Sequence, residues 1–206
     1  MNTGTILDIA MHHSDKIILR AQQGDRDAFN KLVSLWYKRI YNFAHKYFND
    51  HDLASEIAQK TFISLYQNLT SMRDMTRFKS WIYTIALNKC REEERMSGRR
   101  AKVIVISKDG EEQSAQVHDD QQNRPDQTVI RKELSELLLA VLAQLADEQR
   151  EVIIMKEYEG LKFREIAEIL GISENTVKSR LYYGFKHLKK ILEQKEEYKE
   201  IIRHET

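Results

Sequence analysis

Cysteine and proline each occur once in this chain of 206 residues, and glycine occurs seven times. The single thiol, Cys90, excludes an internal disulfide framework and fits a reducing compartment. Because its neighbours Leu87, Asn88 and Lys89 offer no metal ligand, we expect a buried structural thiol. The scarcity of turn-forming residues, with many strong helix formers, predicts an all-α protein.

Long apolar runs and enzyme motifs are also missing. No stretch approaches the roughly 20 apolar residues that cross a bilayer, and residues 1–10 carry Asp8 but no basic residue, unlike a secretory signal. We therefore expect a cytoplasmic protein without membrane insertion. The histidines are scattered, and there is no phosphate-binding loop, nucleophile elbow or metal cluster. We accordingly predict no enzymatic activity, no catalytic residues, no metal and no cofactor.

The N-terminal part of the chain shows the periodicity of amphipathic helices. Gly24-Asp25 supplies a stop and an N-cap for a first long helix, in which apolar residues recur every three or four positions. A second helix is predicted to begin near Asp52, a possible N-cap, and a third to run over Arg77–Arg95. Residues 1–96 therefore form the first predicted domain.

Residues 97–128 differ in composition from the helical blocks on either side. They contain two glycine turns, the single proline, Pro125, and a long polar stretch. Such a composition is typical of a flexible linker, which we expect to leave the two flanking domains folding separately. Residues 129–206 form the second predicted domain, in which a leucine-rich helix precedes a helix that Asp147 can cap.

The most specific pattern in the chain lies between Lys162 and Leu181. A short apolar face is followed by Gly171, where a helix must end in the left-handed conformation, and then by Ser173, a good N-cap. Val177 and Leu181, four residues apart, would bury the inner side of the next helix. This order predicts a helix-turn-helix, and the alternative is a plain helical hairpin with solvated charges.

The second helix of this unit carries side chains suited to duplex DNA. Its predicted outward face offers groups that match base edges in the major groove: Glu174, Asn175, Lys178, Ser179 and Tyr182. Arg180 and Lys186 are better placed to neutralise phosphates. Thr176–Lys190 carries five basic residues and no acidic one, although the net charge of the chain is only +1. Such a local basic stripe favours contact with phosphates.

Basic and aromatic residues alternate along the predicted third helix and just before it: Arg73, Arg77, Phe78, Lys79, Trp81, Tyr83, Lys89, Arg91 and Arg95. Such mixing suits single-stranded nucleic acid, because a cationic surface follows the backbone while aromatic rings stack on the bases. Helical spacing of Phe78 and Trp81 is equally typical of a core, where we place Trp81. Lys79, Tyr83 and Asn88 are then the candidates for the exposed side.

Together, these segments resemble the sigma factors of bacterial RNA polymerase, in the small two-domain extracytoplasmic-function group. Gly24–Phe29 is similar to the family's opening pattern, Ala54–Phe62 to its acidic helix, and Phe78–Asn88 to its tryptophan-containing third helix. Glu165–Ala167 and Thr176–Leu181 are similar to parts of its C-terminal domain. The order and spacing of these pieces, rather than any one of them, carry the resemblance.

The chain also departs from the family pattern. Acids are usual at Leu53 and Ser55, and a proline is common where Ala146 stands. Tyr183-Gly184-Phe185 occupies positions that are often basic, which leaves the detail of the −35 contact open.

The resemblance implies a transcription initiation factor that binds core RNA polymerase, directs it to promoter DNA through the −35 and −10 elements, and helps to melt the −10 DNA. The residues implied to contact core polymerase are Asp52, Glu56, Gln59 and Phe62. Those implied to hold the −10 element are Arg73, Arg77, Lys79, Tyr83, Asn88, Arg91 and Arg95. Those implied to contact the −35 element are Glu174, Asn175, Lys178, Ser179, Arg180 and Lys186. An anti-sigma factor is a further candidate partner, because such factors are commonly held inactive by one.

Two alternatives use the same helix-turn-helix. A regulator that never joins polymerase would need a sensor or dimerisation domain in residues 1–95, where no ligand-pocket signature is visible. An enzyme with a nucleic-acid-binding tail would need a catalytic motif, and none is present. Stable 1:1 binding to core polymerase would favour the sigma interpretation. Binding to duplex DNA without polymerase would favour the regulator.

Overall fold

The computed structural model describes residues 15–105 and 125–194, with side chains over residues 15–97 and 134–194. Throughout these ranges the regular elements are helices, which confirms the all-α prediction. None of the described helices has the length and apolar character needed to traverse a lipid bilayer.

The helices form two bundles. The N-terminal bundle consists of α1 (residues 15–22), α2 (Arg26–Phe48), α3 (His51–Asn68) and α4 (Phe78–Val105). Two 3-10 turns, Leu69–Ser71 and Met75–Arg77, lead from α3 into α4. The C-terminal bundle consists of α5 (Pro125–Leu142), α6 (Asp147–Ile153), α7 (Phe163–Leu170) and α8 (Glu174–Glu193), and a π-helical turn, Ile154–Tyr158, extends α6.

Side-chain caps explain where the first helices begin. The carboxylate of Asp25 accepts a hydrogen bond from the backbone N–H of Ala28 at 3.0 Å, which confirms the predicted cap of α2. The predicted cap of α3 is wrong, because Asp50 caps this helix by accepting from Leu53 N–H at 2.9 Å. Asp52 lies in the first turn, where its negative charge interacts favourably with the positive end of the helix dipole.

Two other predicted boundaries differ from the structure. Ala146 is the N-cap of α6, and Asp147, the expected cap, instead accepts a hydrogen bond from Arg150 at 2.9 Å. The third predicted helix runs on to Val105, past its expected end at Arg95. The predicted linker, residues 97–128, therefore overlaps the ends of α4 and α5, and its residues 106–124 lie outside the described part of the chain.

One apolar core runs from the N-terminal bundle into the C-terminal bundle. Fully buried side chains of α2 and α4, such as Phe43 and Leu87, belong to the same cluster as Ile154, Leu161 and Ile166. The two bundles are therefore packed against each other, with apolar surface removed from water between them. That the two domains fold separately remains a prediction. The shared core argues against it, because separate domains would expose part of that core to water.

Cys90 is buried in this core, as predicted. Burial raises the pKa of its thiol, because the thiolate would lose its hydration, and the nearby charges of Glu94 and Glu151 act in the same direction. The side chain therefore serves as a small apolar group in the packing of α4.

Candidate nucleic-acid interface

The predicted helix-turn-helix is present, formed by α7 and α8. Gly171 ends α7 in the left-handed region, with φ of 66° and ψ of 34°, and the N–H of Ile172 reaches back to Ala167 O at 3.1 Å. The hydroxyl of Ser173 caps α8 by accepting from Thr176 N–H at 3.1 Å. A residue other than glycine would be strained at position 171, so the turn between the helices depends on it.

The start of α8 presents an open polar face. Val177 is fully buried against the rest of the bundle, which fixes the inner side of the helix. On the other side the structure brings together exposed side chains that the sequence predicted, namely Glu174, Asn175, Lys178, Ser179 and Tyr182. Lys186 is also exposed, whereas Arg180 is half-buried at the edge of this face.

Gly184 sets the contact between α8 and α6, and the sequence reasoning did not identify this role. A Cβ atom at this position would lie 2.9 Å from Ile153 Cδ1 and 3.3 Å from Gln149 Cβ. The glycine therefore lets the two helices approach more closely than a larger residue would. An isolated glycine inside a helical pattern was the available signal, because glycine there weakens a helix unless packing requires it.

The residues implied to contact polymerase lie on α3. Asp52, Glu56 and Gln59 are exposed, whereas Phe62 is buried with a residual exposure of 7%. Glu56 forms an ion pair of 2.7 Å with Lys60, one turn further along the helix. The structure thus places three of the four residues on one accessible face and Phe62 in the packing beneath it.

The residues implied to hold the −10 element divide into two groups. The first group is Arg73, Asn88 and Arg95, all of which are exposed. The other four lie on α4 or just before it, and each contacts a carboxylate of the C-terminal bundle: Arg77 to Glu168 at 3.0 Å, Lys79 to Glu165 at 3.4 Å, Tyr83 to Glu159 at 2.5 Å, and Arg91 to Glu151 at 2.7 Å. Lys79, Tyr83 and Arg91 are therefore engaged between the bundles, whereas Arg77 reaches Glu168 from an exposed position.

The expectation that Tyr83 is exposed is wrong. Its side chain is fully buried, and its hydroxyl donates a hydrogen bond to Glu159 Oε2. Burial raises the pKa of the Tyr83 phenol, and the neighbouring charge of Glu159 adds to this. Burial also raises the pKa of Glu159, against the opposing effects of the Tyr83 hydrogen bond and of Lys46. The prediction failed because the Tyr83 ring packs against Trp36 and Phe43 of α2, while the C-terminal bundle covers its hydroxyl.

A charged cluster continues the contact toward the other end of α4. Arg91 donates two hydrogen bonds of 2.7 Å to Glu151, whose side chain is only 2% exposed. Arg150 donates to Glu94, and its guanidinium carbon lies 4.4 Å from the ring centroid of Tyr47. The Nε of Arg150 is the one buried side-chain nitrogen or oxygen among the described residues that has no hydrogen-bond partner.

Sequence reasoning missed the acidic partners of α4: Glu151, Glu159, Glu165 and Glu168. Acidic residues on amphipathic helices are usually solvated, and nothing local in the sequence marks these as interface residues. Their partners are distant in the chain, so only the fold brings the two sets together.

A cavity of about 340 Å³ lies beside the start of α4. Arg73, Arg77 and Trp81 line it, and Glu168 of α7 closes part of its wall. Trp81, expected in the core, is half-buried and packs against the core while also lining this cavity. Guanidinium groups beside an indole ring form a surface on which an unstacked base can be held.

Comparison with known proteins identifies the two bundles. Residues 32–100 match sigma-70 region 2, and residues 135–188 match sigma-70 region 4. The chain is 31% identical over 179 residues to the ECF RNA polymerase sigma factor SigW of Bacillus subtilis, covering 86% of this chain and 95% of that protein. It is 29% identical over 167 residues to the ECF RNA polymerase sigma-E factor of Haemophilus influenzae, covering 81% and 88%.

A solved structure shows the same fold. The sigma factor RpoE of Bartonella quintana, crystallised with the anti-sigma factor NepR, superposes with a TM-score of 0.62. The match covers 81% of this chain and 97% of that chain, at 24% sequence identity.

Proposed function

This chain belongs to the extracytoplasmic-function sigma factors of the sigma-70 family, and from that membership we propose how it selects promoters. It binds core RNA polymerase through the exposed face of α3 and reads the −35 element with the start of α8. It holds the melted −10 strand along the start of α4. It contributes no catalytic group and acts in the cytoplasm, where bacterial polymerase meets DNA.

The observation that carries the proposal is the open face at the start of α8. Asn175 and Lys178 are exposed and can enter a major groove, and the Lys178 ammonium also lies 5.7 Å from the ring centroid of Phe163. Asparagine pairs bidentately with adenine, and lysine donates to guanine, so these side chains can distinguish bases. Arg180 and Lys186 flank this face and can contact phosphates.

The cavity beside α4 supports the proposed −10 contact. Single-stranded DNA exposes unpaired bases that stack on aromatic rings, while its backbone follows positive charge. Trp81 supplies a ring beside Arg73 and Arg77 in the cavity wall. Asn88 and Arg95, exposed further along α4, extend the path for the strand.

Polymerase binding is assigned to Asp52, Glu56 and Gln59, with Phe62 supporting them from below. Exposed carboxylates on one helix face give a charge pattern that steers and orients a basic partner surface. The family relationship names core polymerase as that partner.

The proposal includes an inhibitory partner. RpoE of Bartonella quintana, which shares the fold, was crystallised with the anti-sigma factor NepR. An anti-sigma factor that binds this chain would compete with core polymerase for the α3 face.

Co-purification with core polymerase tests the proposal against the alternative interpretation, a regulator that acts without polymerase. We expect a stable 1:1 complex that starts transcription from defined promoters, and little sequence-specific binding of duplex DNA by the free chain. The double variant Asp52→Lys/Glu56→Lys should reduce complex formation, whereas Glu136→Lys, at an exposed position of α5, should not. Specific duplex binding without any affinity for polymerase would instead establish the regulator.

A further inference from the structure

The four contacts between α4 and the C-terminal bundle form one ordered row. The donors, in chain order, are Arg77, Lys79, Tyr83 and Arg91, and their acceptors are Glu168, Glu165, Glu159 and Glu151. The acceptors run in the opposite direction along the chain. Donor positions 77 to 91 span about 21 Å at the helical rise of 1.5 Å per residue. The carboxylates thus follow one side of α4 over roughly four turns.

The row presents to α4 the chemistry of a nucleic-acid backbone. Carboxylate oxygens, like phosphate oxygens, are anionic acceptors that take charge-assisted hydrogen bonds from guanidinium and ammonium groups. Arg91 holds Glu151 through two parallel hydrogen bonds, the geometry in which arginine also binds phosphate. Glu168, besides pairing with Arg77, lines the cavity next to Trp81.

We propose that this acidic row, Glu151, Glu159, Glu165 and Glu168, occupies the −10 surface of α4 as an internal substitute for single-stranded DNA and keeps the free protein from binding it. The inference rests on the proposed function, because it takes Arg77, Lys79 and Arg91 as groups that contact DNA. It assigns the C-terminal bundle a second role beside its proposed −35 contact. The part of the −10 surface around Lys79 and Arg91 becomes available only when the two bundles separate, whereas Arg73, Asn88 and Arg95 are already exposed.

The four contacts differ in how far they are exposed to solvent. The side chain of Arg77 is 63% exposed and that of Lys79 32% exposed, so water and salt screen the pairs at the α7 end. Glu159 and Glu151, at the other end, lie in or next to the shared core and are largely desolvated. Separation therefore begins at α7, and Glu165 and Glu168 are the residues to test.

The test compares two double variants of the full-length chain. In Glu165→Gln/Glu168→Gln the row loses two charges, while glutamine at position 165 can still accept from Lys162 N–H, as Glu165 does at 2.6 Å. Glu136→Gln/Glu157→Gln removes the same charge from two exposed positions of the C-terminal bundle. Because both variants change the net charge equally, they separate a local effect from general electrostatics. Circular dichroism confirms that each variant is folded.

Two measurements are needed, one of whether the two bundles stay packed together and one of whether α4 can bind DNA. Energy transfer between dyes at Lys38→Cys and Arg164→Cys, in a Cys90→Ala background, reports the separation of the bundles. Fluorescence anisotropy of a labelled random-sequence single-stranded oligonucleotide reports access to α4 in the free protein at low salt. We expect the row variant to show less energy transfer and about five- to tenfold tighter DNA binding than the wild type, a typical range for coupling between two sites. The control pair should match the wild type in both.

The proposal is overturned if the row variant leaves both readouts unchanged, or if the control pair strengthens DNA binding as much as the row variant does. These failures are distinct from failure of the proposed function. Promoter-directed transcription by the wild type, with no effect of the row variant, would remove the masking alone. Tighter DNA binding by the row variant, with no promoter-directed transcription by the wild type, would remove the sigma assignment alone.

Discussion

The two helices proposed to meet DNA are presented in opposite ways. The start of α8 exposes Asn175 and Lys178 to solvent, with Lys178 beside the ring of Phe163 in α7. Along α4, Tyr83 is fully buried and Arg91 is bound to a carboxylate of the other bundle. Both helices carry the basic and polar residues that predict nucleic-acid binding, so composition alone does not decide whether a surface is available.

The difference matches the state of the DNA that each helix is proposed to meet. Duplex DNA is present before transcription starts, so a reader of the −35 element can stay open. Melted DNA exists only once polymerase has engaged the promoter. A surface for single strands that is partly covered in the free protein would bind unrelated single-stranded nucleic acid less readily, which a cationic and aromatic surface otherwise attracts with little sequence preference.

The largest expected effect comes from breaking the desolvated end of the α4 contact. Glu151→Ala leaves Arg91 without its two hydrogen bonds and should lower the free energy of unfolding by about 2–4 kcal/mol, less than for a fully buried pair because the Arg91 side chain is 39% exposed. Urea denaturation followed by circular dichroism measures it. Glu148→Ala, on the exposed side of the same helix, is the control. Equal stabilities of the two variants would show that the pair does not hold the bundles together.

A second substitution tests what keeps the α8 face in place. Gly184→Ala puts a methyl group 2.9 Å from Ile153 Cδ1, an overpacking of about 1–3 kcal/mol that should outweigh the roughly 1 kcal/mol by which alanine favours a helix over glycine. Thermal unfolding measures the loss, and Ile153→Val in the same chain should recover part of it. Ser179→Ala, exposed on α8, serves as the control. If Gly184→Ala is as stable as the wild type, α6 and α8 are not in the close contact described.

Charge reversal on an open face should weaken binding and leave folding intact. Glu56→Lys should turn the proposed electrostatic attraction to polymerase into repulsion and cost about 1–3 kcal/mol of binding free energy if the contact is partly desolvated. Affinity is measured with core polymerase, after circular dichroism has verified the fold. Glu92→Lys also breaks an exposed ion pair within one helix, that with Lys89, and is the matched control. An unchanged affinity of the Glu56 variant would remove α3 from the polymerase interface.

The smallest expected effect concerns Arg180 at the edge of the α8 face. Loss of a phosphate contact in Arg180→Ala should weaken all promoters alike and reduce the slope of log affinity against log salt by about one unit. Promoter binding by the assembled polymerase, titrated with salt, measures that slope. An altered preference for one base would place Arg180 in the groove instead.

The sequence could predict the features that depend on residues close together in the chain. The turn at Gly171 and the caps at Asp25 and Ser173 involve groups a few residues apart, so their patterns were sufficient. The α3 cap was misassigned because Asp50 and Asp52 are both good caps, and only backbone geometry separates them. The open face of α8 followed because one buried residue, Val177, fixes the opposite side.

What the sequence could not predict depends on contacts between bundles. Tyr83 lies on a helix whose apolar pattern is wide enough to place it on either side. It is buried because its ring packs against Trp36 and Phe43 of α2, while its hydroxyl meets Glu159 of the other bundle. The same holds for Glu151, which would be solvated on an isolated helix and is 2% exposed here. Gly184 was noticed as a departure from the family pattern, but its reason, Ile153, appears only when α6 packs on α8.

Run-off transcription with core polymerase from templates randomised in both promoter regions tests the central claim most directly, because it reads the two DNA surfaces in one experiment. The account predicts that the wild-type protein selects templates with two conserved elements at a fixed spacing. Asn175→Ala and Lys178→Ala should relax the upstream element at single positions, at a cost of about 1–3 kcal/mol each, and leave the downstream element unchanged. Failure to select any element, or a change in the downstream element alone, would contradict it.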